Sequence, residues 1–325
     1  MPTFNFGAST TTGRRPSNED AHTITHLNSK LPCQFVAVYD GHGGASAACY
    51  ASTTLHTILQ AQKTFPDDIK KSFITAFTTT DKNYIKQENS SDIFSSAGCT
   101  ACACLLTPTH AYFANAGDAR AIISKNDQIV QITTDHKPSL PSERARIEQF
   151  GSCVVEQPGD CPRVAGMLAV SRAIGDAPFK GCGVVALPDV FSEELQGVDF
   201  IVLACDGVWD VLTNEEVQQI VKICLKMPGN ASSVREKILK QGVEKLLEST
   251  NFRDNACREA EQILVQLAES VSAPANDLTC NLKTEIEKMS PAHLARMICK
   301  VAVCVGSDDN ISCVVGVERA VYEKK

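Results

Sequence analysis

The chain has 325 residues, 43% apolar and 21% charged, a balance that suits a folded globular protein and argues against disorder. Its 31 basic and 38 acidic side chains leave a formal charge of −7, which excludes a broad basic face for nucleic acid but leaves room for a local basic pocket. No apolar run approaches the roughly 20 residues of a membrane-spanning helix. The first residues carry no apolar signal-like stretch, and Pro2 is incompatible with N-myristoylation. No membrane partner is expected; the cytoplasm is the default location, with the nucleus as an alternative, and a monomer is the default state. Without a secretory signal the fifteen cysteines are expected mainly as buried free thiols, as in the apolar strings around Cys102, Cys104 and Cys304.

In chain order, residues 34–39 (Q-F-V-A-V-Y) read as a buried strand, short and apolar throughout. Residues 67–88 place Ile69, Phe73, Phe77 and Tyr84 on one helical face. Residues 99–106 and 111–115 flank T-P-T-H and read as a hairpin. Residues 139–150 read as a helix stopped at Gly151. Residues 200–205 and 311–317 read as two more buried strands. Thr213 and Glu216 form a capping box ahead of Val217, Ile220 and Val221. Segment 227–290 has Glu and Lys at helical spacing and a second capping box at Ser233 and Glu236, so it reads as an all-helical insertion that packs over a sheet edge, with a protein-binding surface as the alternative role. Ser290-Pro291 is an N-cap and first-turn pair for a helix running to about Val303.

Three acids sit in turn-like sequence beside these strands, Asp40, Asp206 and Asp309, and a fourth, Glu19, lies in R-R-P-S-N-E-D. Strand ends let a rigid scaffold aim side chains into a pocket. Bunched carboxylates repel one another, and divalent cations remove that penalty; hard oxygen ligands suit Mg²⁺ or Mn²⁺. Four carboxylates against two divalent ions give a neutral site, and an Arg nearby would offset the charge of an arriving phosphate monoester. Arg14 and Arg15 lie just before Glu19. The G-H-G-G of residues 41–44 fits neither a nucleotide-binding loop nor, without a G-x-S-x-G elbow, an esterase.

These segments resemble the protein phosphatase 2C family of metal-dependent Ser/Thr phosphatases. The resemblance rests on eight motifs in family order: G-R-R-P-S-N-E-D-A (13–21), V-Y-D-G-H-G-G (38–44), G-C-T-A (98–101), N-A-G-D-A-R (115–120), D-H-K-P (135–138), R-V-A-G-M-L-A-V-S-R-A-I-G-D (163–176), C-D-G-V-W-D (205–210) and D-D-N-I-S (308–312). It implies an α+β fold, a four-layer α-β-β-α sandwich of two mainly antiparallel sheets flanked by helices. The whole chain, 1–325, would then be a single catalytic domain carrying the helical insertion 227–290. The resemblance also implies two Mg²⁺ or Mn²⁺ ions. Asp40 would bridge them, Glu19 and the Gly41 carbonyl would hold one, and Asp206 and Asp309 the other. Asp118, with Asp206, matches a position linked to a weaker third ion, and Asp20 a group behind the ligands. Arg15, five residues before Asp20, matches the phosphate-binding Arg, His42 the proposed general acid, and Arg163 a residue near the substrate groove. The implied reaction is direct in-line attack of an activated water on phosphoserine or phosphothreonine proteins.

The chain departs from the family pattern in three places. Asp206 and Asp309 stand 103 residues apart, longer than usual; Ala165 replaces the usual Asn of R-V-N-G; and Cys205 replaces a commoner Ser. The alternative function is a catalytically silent adaptor that keeps the fold and binds through the insertion.

Overall fold

A computed structural model describes residues 3–89, 96–225 and 290–323. One five-stranded antiparallel sheet is ordered β1 (Phe4–Thr11), β15 (Ile311–Glu318), β14 (Val198–Ala204), β8 (Arg120–Lys125) and β9 (Gln128–Gln131). The other is ordered β13 (Asp189–Glu194), β7 (His110–Ala116), β6 (Ala101–Leu106), β3 (Cys33–Tyr39) and β2 (Ala21–Leu27). Period-2 alternation shows how they stack. Along β14, Phe200, Val202 and Ala204 face a core shared with helices, while Ile201 and Leu203 face the second sheet. Along β3, Phe35, Ala37 and Tyr39 face helices, and Val36 and Val38 point at the first sheet. Strands buried on both faces carry no polar side, which is why they read as continuous apolar runs.

Helices α1 (Ser46–Gln60) and α2 (Ile69–Asn89) cover the second sheet, and Ile69, Phe73, Phe77 and Tyr84 are buried beneath α2 as their spacing predicts. Helix α3 (Pro141–Gln149) packs with Val164, Leu168 and Val170 in a smaller cluster. A four-residue α4 (Asp206–Trp209) follows β14, and α5 (Asn214–Cys224) and α6 (Pro291–Cys304) cover the first sheet; a short α7 (Arg319–Glu323) follows β15. The α+β sandwich expected from the sequence is therefore observed.

Both caps form. The Thr213 and Glu216 side chains bond each other's backbone N–H at 2.9 and 3.2 Å, and Ser290 Oγ accepts from the His293 N–H. Nine cysteines are buried and none is disulfide-bonded among the described residues. No described helix is long and apolar enough to cross a membrane. The insertion 227–290, its Ser233–Glu236 box included, lies outside the described residues except at its last position.

One expectation needs correction. Residues 99–106 are not one strand. β5 (Gly98–Cys99) belongs to a small third sheet with β4 (Gly41–His42) and β12 (Ile174–Gly175), and the chain changes sheets at Thr100. The Thr100 N–H donates to the Asp40 carbonyl at 2.9 Å, and its hydroxyl accepts from the Asp40 N–H at 3.3 Å. That exchange bends both strands at the mouth of the cleft described next.

Candidate active site

The register brings the predicted acids to one end of the sandwich. Tyr39 pairs with Ala21, so Asp40 leaves β3 where Glu19 and Asp20 enter β2. Ala204 pairs with Cys313 and Arg120, so Asp206, Asp309 and Asp118 cluster at the matching end of the first sheet. Asp40, Asp118 and Asp206 offer carboxylate oxygens within 4.8 Å of one another, as do Asp20, Asp40 and the Cys205 thiol. Glu19, Gly41 and Asp309 line the same cleft, a volume of about 580 Å³ that also takes in Arg15, His42, Thr100 and Arg163. Gly41 packs so close to Glu19 that a Cβ would stand 2.1 Å from the Glu19 carbonyl oxygen; only glycine fits.

The acids are costly as they stand. Burial, then the charges of Asp206, Asp20 and Asp118, pushes Asp40 well above the usual carboxylate range. Burial and then Asp206 push Asp118 up to about 8. Asp20 is raised to about 7 by burial, with the nearby Ser312 hydroxyl and Cys205 thiol acting the other way. Asp206 is raised, again chiefly by burial. Asp118 Oδ1 and both Asp20 oxygens are buried without a hydrogen-bond partner. No Lys or Arg forms a salt bridge with Asp40, Asp118 or Asp206 among the described residues. Unpaired buried oxygens at this density are what hard divalent cations satisfy, so the residues present fit Mg²⁺ or Mn²⁺.

Second contacts fix these groups. The Glu19 N–H donates to Asn310 Oδ1 at 2.8 Å, and Glu19 Oε2 accepts from the Gly44 N–H at 3.1 Å. Asn310 Nδ2 donates to the Thr12 and Ser17 carbonyls at 2.9 and 2.8 Å, tying the loop before Glu19 to the start of β15. Arg15, not Arg14, lines the cleft; its Nη2 bonds Asp309 Oδ2 at 2.9 Å, while Arg14 pairs with exposed Asp308. Arg163, on the β10 (Val154–Val155) and β11 (Arg163–Val164) hairpin, is held by Asp160 and by the Met167 carbonyl. Asp20 sits behind Asp40 rather than in the cleft lining. Burial pulls the His42 pKa down, but a hydrogen bond to Asp176 and the charges of Asp176, Asp118 and Glu19 outweigh it, and the net shift is upward.

Ala165 has φ +50, the left-handed region that Asn tolerates better than Ala. That is a physical reason for Asn at this family position. Sequence reasoning gave no role to Thr100, Asn310 or Asp176. Asp176 ends the quoted motif of residues 163–176, but its partner is 134 residues away and no local spacing reveals it.

Comparison with known proteins agrees with this geometry. The Protein phosphatase 2C family model matches residues 4–250. A probable protein phosphatase 2C of Caenorhabditis elegans is 38% identical over 72% of this chain and 67% of its own length. Probable protein phosphatase 2C 69 of Arabidopsis thaliana is 34% identical over 89% of this chain and 77% of its own. Among solved structures, a C. elegans sex determining protein superposes with a TM-score of 0.72 at 21% identity, covering 98% of this chain and 67% of that one. A serine-threonine phosphatase 2C from Toxoplasma gondii gives 0.65 at 19%, covering 98% and 97%. These two show the fold. The chain belongs to the protein phosphatase 2C family of metal-dependent serine/threonine protein phosphatases, and its enzyme class is that of a phosphoric monoester hydrolase.

Proposed function

We propose that this chain is an active phosphatase of phosphoserine and phosphothreonine proteins, and that its cleft holds two Mg²⁺ or Mn²⁺ ions. The supporting observation is the cluster of Asp40, Asp118 and Asp206 within 4.8 Å, Asp118 buried and the other two half-buried, without a cationic side chain bonded to it among the described residues. Asp40 would bridge the ions, Glu19 and the Gly41 carbonyl would hold one, Asp206 and Asp309 the other, and Asp118 with Asp206 a weaker third. The chemistry supplied when they are bound is charge neutralisation and activation of a water for in-line attack on phosphorus.

The chain's own residues do the rest. Arg15 reaches the cleft on the exposed side of Asp309, where its guanidinium can take a phosphate oxygen and hold the ester in line. The serine or threonine alkoxide is a poor leaving group and needs a proton; His42, raised above its ordinary pKa and facing the cleft, supplies it. Thr100 and Asn310 hold the backbones of Asp40 and Glu19, so the donor set stays aimed before any substrate arrives.

The test is phosphate release from a phosphothreonine peptide at neutral pH, with Mn²⁺ and then with excess chelator. Turnover that appears with the metal and vanishes with the chelator is expected. Folded, Mn²⁺-loaded protein that releases no phosphate would overturn the reading and favour the adaptor.

A further inference from the structure

The small sheet of β4, β5 and β12 adds Cys99 and Ile174 to the core beneath α1 and α2, and its importance lies in what it places. β4 ends on His42 and β12 on Gly175, and Gly98 of β5 pairs with both. The next residue after Gly175 is Asp176, whose Oδ2 lies 2.8 Å from His42 Nε2. A Cβ on Gly98 would stand 2.2 Å from that Asp176 oxygen and 2.6 Å from that His42 nitrogen, so the pair forms only over a glycine.

Asp176 is held rigidly. It is 1% exposed and its backbone sits at φ +53, in the left-handed region that few side chains adopt. Its N–H donates to the Ala97 carbonyl at 3.1 Å. The neighbouring Gly175 N–H donates to Asp81 Oδ1 at 2.8 Å, and Asp81 pairs with Lys180 at 2.9 Å. Strain kept in place by surrounding bonds beside a cleft is a pointer to function.

We propose that Asp176 is the positioning residue of His42: its carboxylate accepts the Nε2–H, turns the ring, and leaves Nδ1 as the nitrogen that delivers a proton to the departing alkoxide. A carboxylate can only accept here, so a proton on Nε2 is engaged with Asp176 and Nδ1 is the ring nitrogen left for the departing oxygen. During hydrolysis the water oxygen forms a bond to phosphorus and the phosphorus–oxygen bond to the Ser or Thr side chain breaks. The electron pair of that bond stays on the leaving oxygen, which takes the Nδ1 proton. The proton lost by the water returns to His42 through solvent, and the Asp176 contact to Nε2 is kept throughout. The proposal rests on the phosphatase reading above.

The experiment uses two substrates and a double-mutant cycle. A phosphothreonine peptide needs a proton on its leaving oxygen; p-nitrophenyl phosphate releases a stable anion and needs little help. Asp176→Asn keeps the shape but no longer presents an all-acceptor group to Nε2. It should lower kcat on the peptide about 10²-fold, the scale of a positioned acid, with a far smaller loss on the aryl ester and the wild-type Mn²⁺ requirement. In a His42→Gln background it should cost nothing more. Equal losses on both substrates, or losses that multiply in the double variant, would reduce Asp176 to a structural role. Should Asp176→Asn not fold, ¹⁵N NMR of the His42 ring in the wild type decides: a neutral ring protonated on Nε2 supports the proposal, and one protonated on Nδ1 overturns it. Wild type that hydrolyses neither substrate with Mn²⁺ would sink the phosphatase reading, and this proposal with it.

Discussion

In the cleft, Asp40, Asp118 and Asp206 face one another, and among the described residues no Lys or Arg is bonded to them. Between residues 136 and 189, Glu143 is fully buried but is gripped on both sides. Arg146 bonds it through two nitrogens at 2.7 and 2.8 Å, Arg172 approaches at 2.8 Å, and the Ser171 hydroxyl donates at 2.6 Å. Arg172 also bonds Asp189, which meets His136. Burial alone would raise Glu143; these donors overcome it and hold its pKa down at about 2. The same physics thus gives opposite results. Where the chain supplies the countercharge, a buried carboxylate is architecture. Where it withholds the countercharge, the carboxylates form a site that waits for cations.

The largest expected effect lies in the cleft. Asp40→Asn removes the acid shared by both clusters of donors. Lewis-acid assistance is worth several kcal/mol and each ~1.4 kcal/mol is tenfold, so phosphate release from a phosphothreonine peptide should fall by about 10³-fold or more. Metal-free stability should rise at neutral pH, because the unfolded chain no longer gains an ionised carboxylate that the native cleft disfavours. A variant that loses activity and also melts lower without metal would break the contrast.

Arg172→Met tests the other side. Leaving Glu143 and Asp189 without that guanidinium should cost about 3 kcal/mol in urea unfolding, the lower end for breaking a buried pair. Activity per folded molecule should change far less than in Asp40→Asn. Unchanged stability would mean that Arg146 alone suffices.

The two regions should also respond to pH with opposite sign. Asp20 and Asp118, at about 7 and about 8, keep their protons in the native metal-free protein while the unfolded chain loses them near 3.8. Stability of the metal-free protein should therefore fall as pH rises from about 4 to about 8, and Mn²⁺ should stabilise more at pH 8 than at pH 5. Glu143 works in reverse: its contribution is present above 4.5 and is lost as pH falls toward 2. Thermal melts from pH 2 to 8, with and without Mn²⁺, would show both limbs. A flat metal-free profile between pH 5 and 8 would argue against the crowded-acid account.

The smallest effect concerns the hairpin beside the cleft. Ala165→Asn should relieve the φ +50 strain and stabilise by up to about 1 kcal/mol, read as a shift in urea midpoint. A loss of stability would mean that the surroundings prefer the smaller side chain.

Much of this was legible beforehand because it is local or strongly patterned. The β3, β14 and β15 strands are apolar runs, α2 has its stripe, and the capping residues stand at their required spacings. Asp40, Asp206 and Asp309 are readable as acids beside strand ends, whereas Glu19 precedes β2, which alternates too weakly in burial to be read as a strand. What escaped was short or distant. Two-residue strands such as β4, β5 and β12 are too brief to show a period, and Thr100 looked like strand interior. The His42–Asp176 pair depends on three segments meeting, which no window of sequence contains.

The pairing of β1 with β15 has a consequence for synthesis. Asn310 anchors Glu19, Asp309 holds Arg15, and all eight residues of β1 find their partners between Ile311 and Glu318. Among the described strands, β1 must therefore wait for β15 to leave the ribosome before the cleft can close around its acids. A nascent chain stalled anywhere short of Asp309 lacks both a donor and the clamp on Glu19, so phosphatase activity should switch on only as translation of β15 ends. A cleft assembled in this way cannot gather its acids half-made.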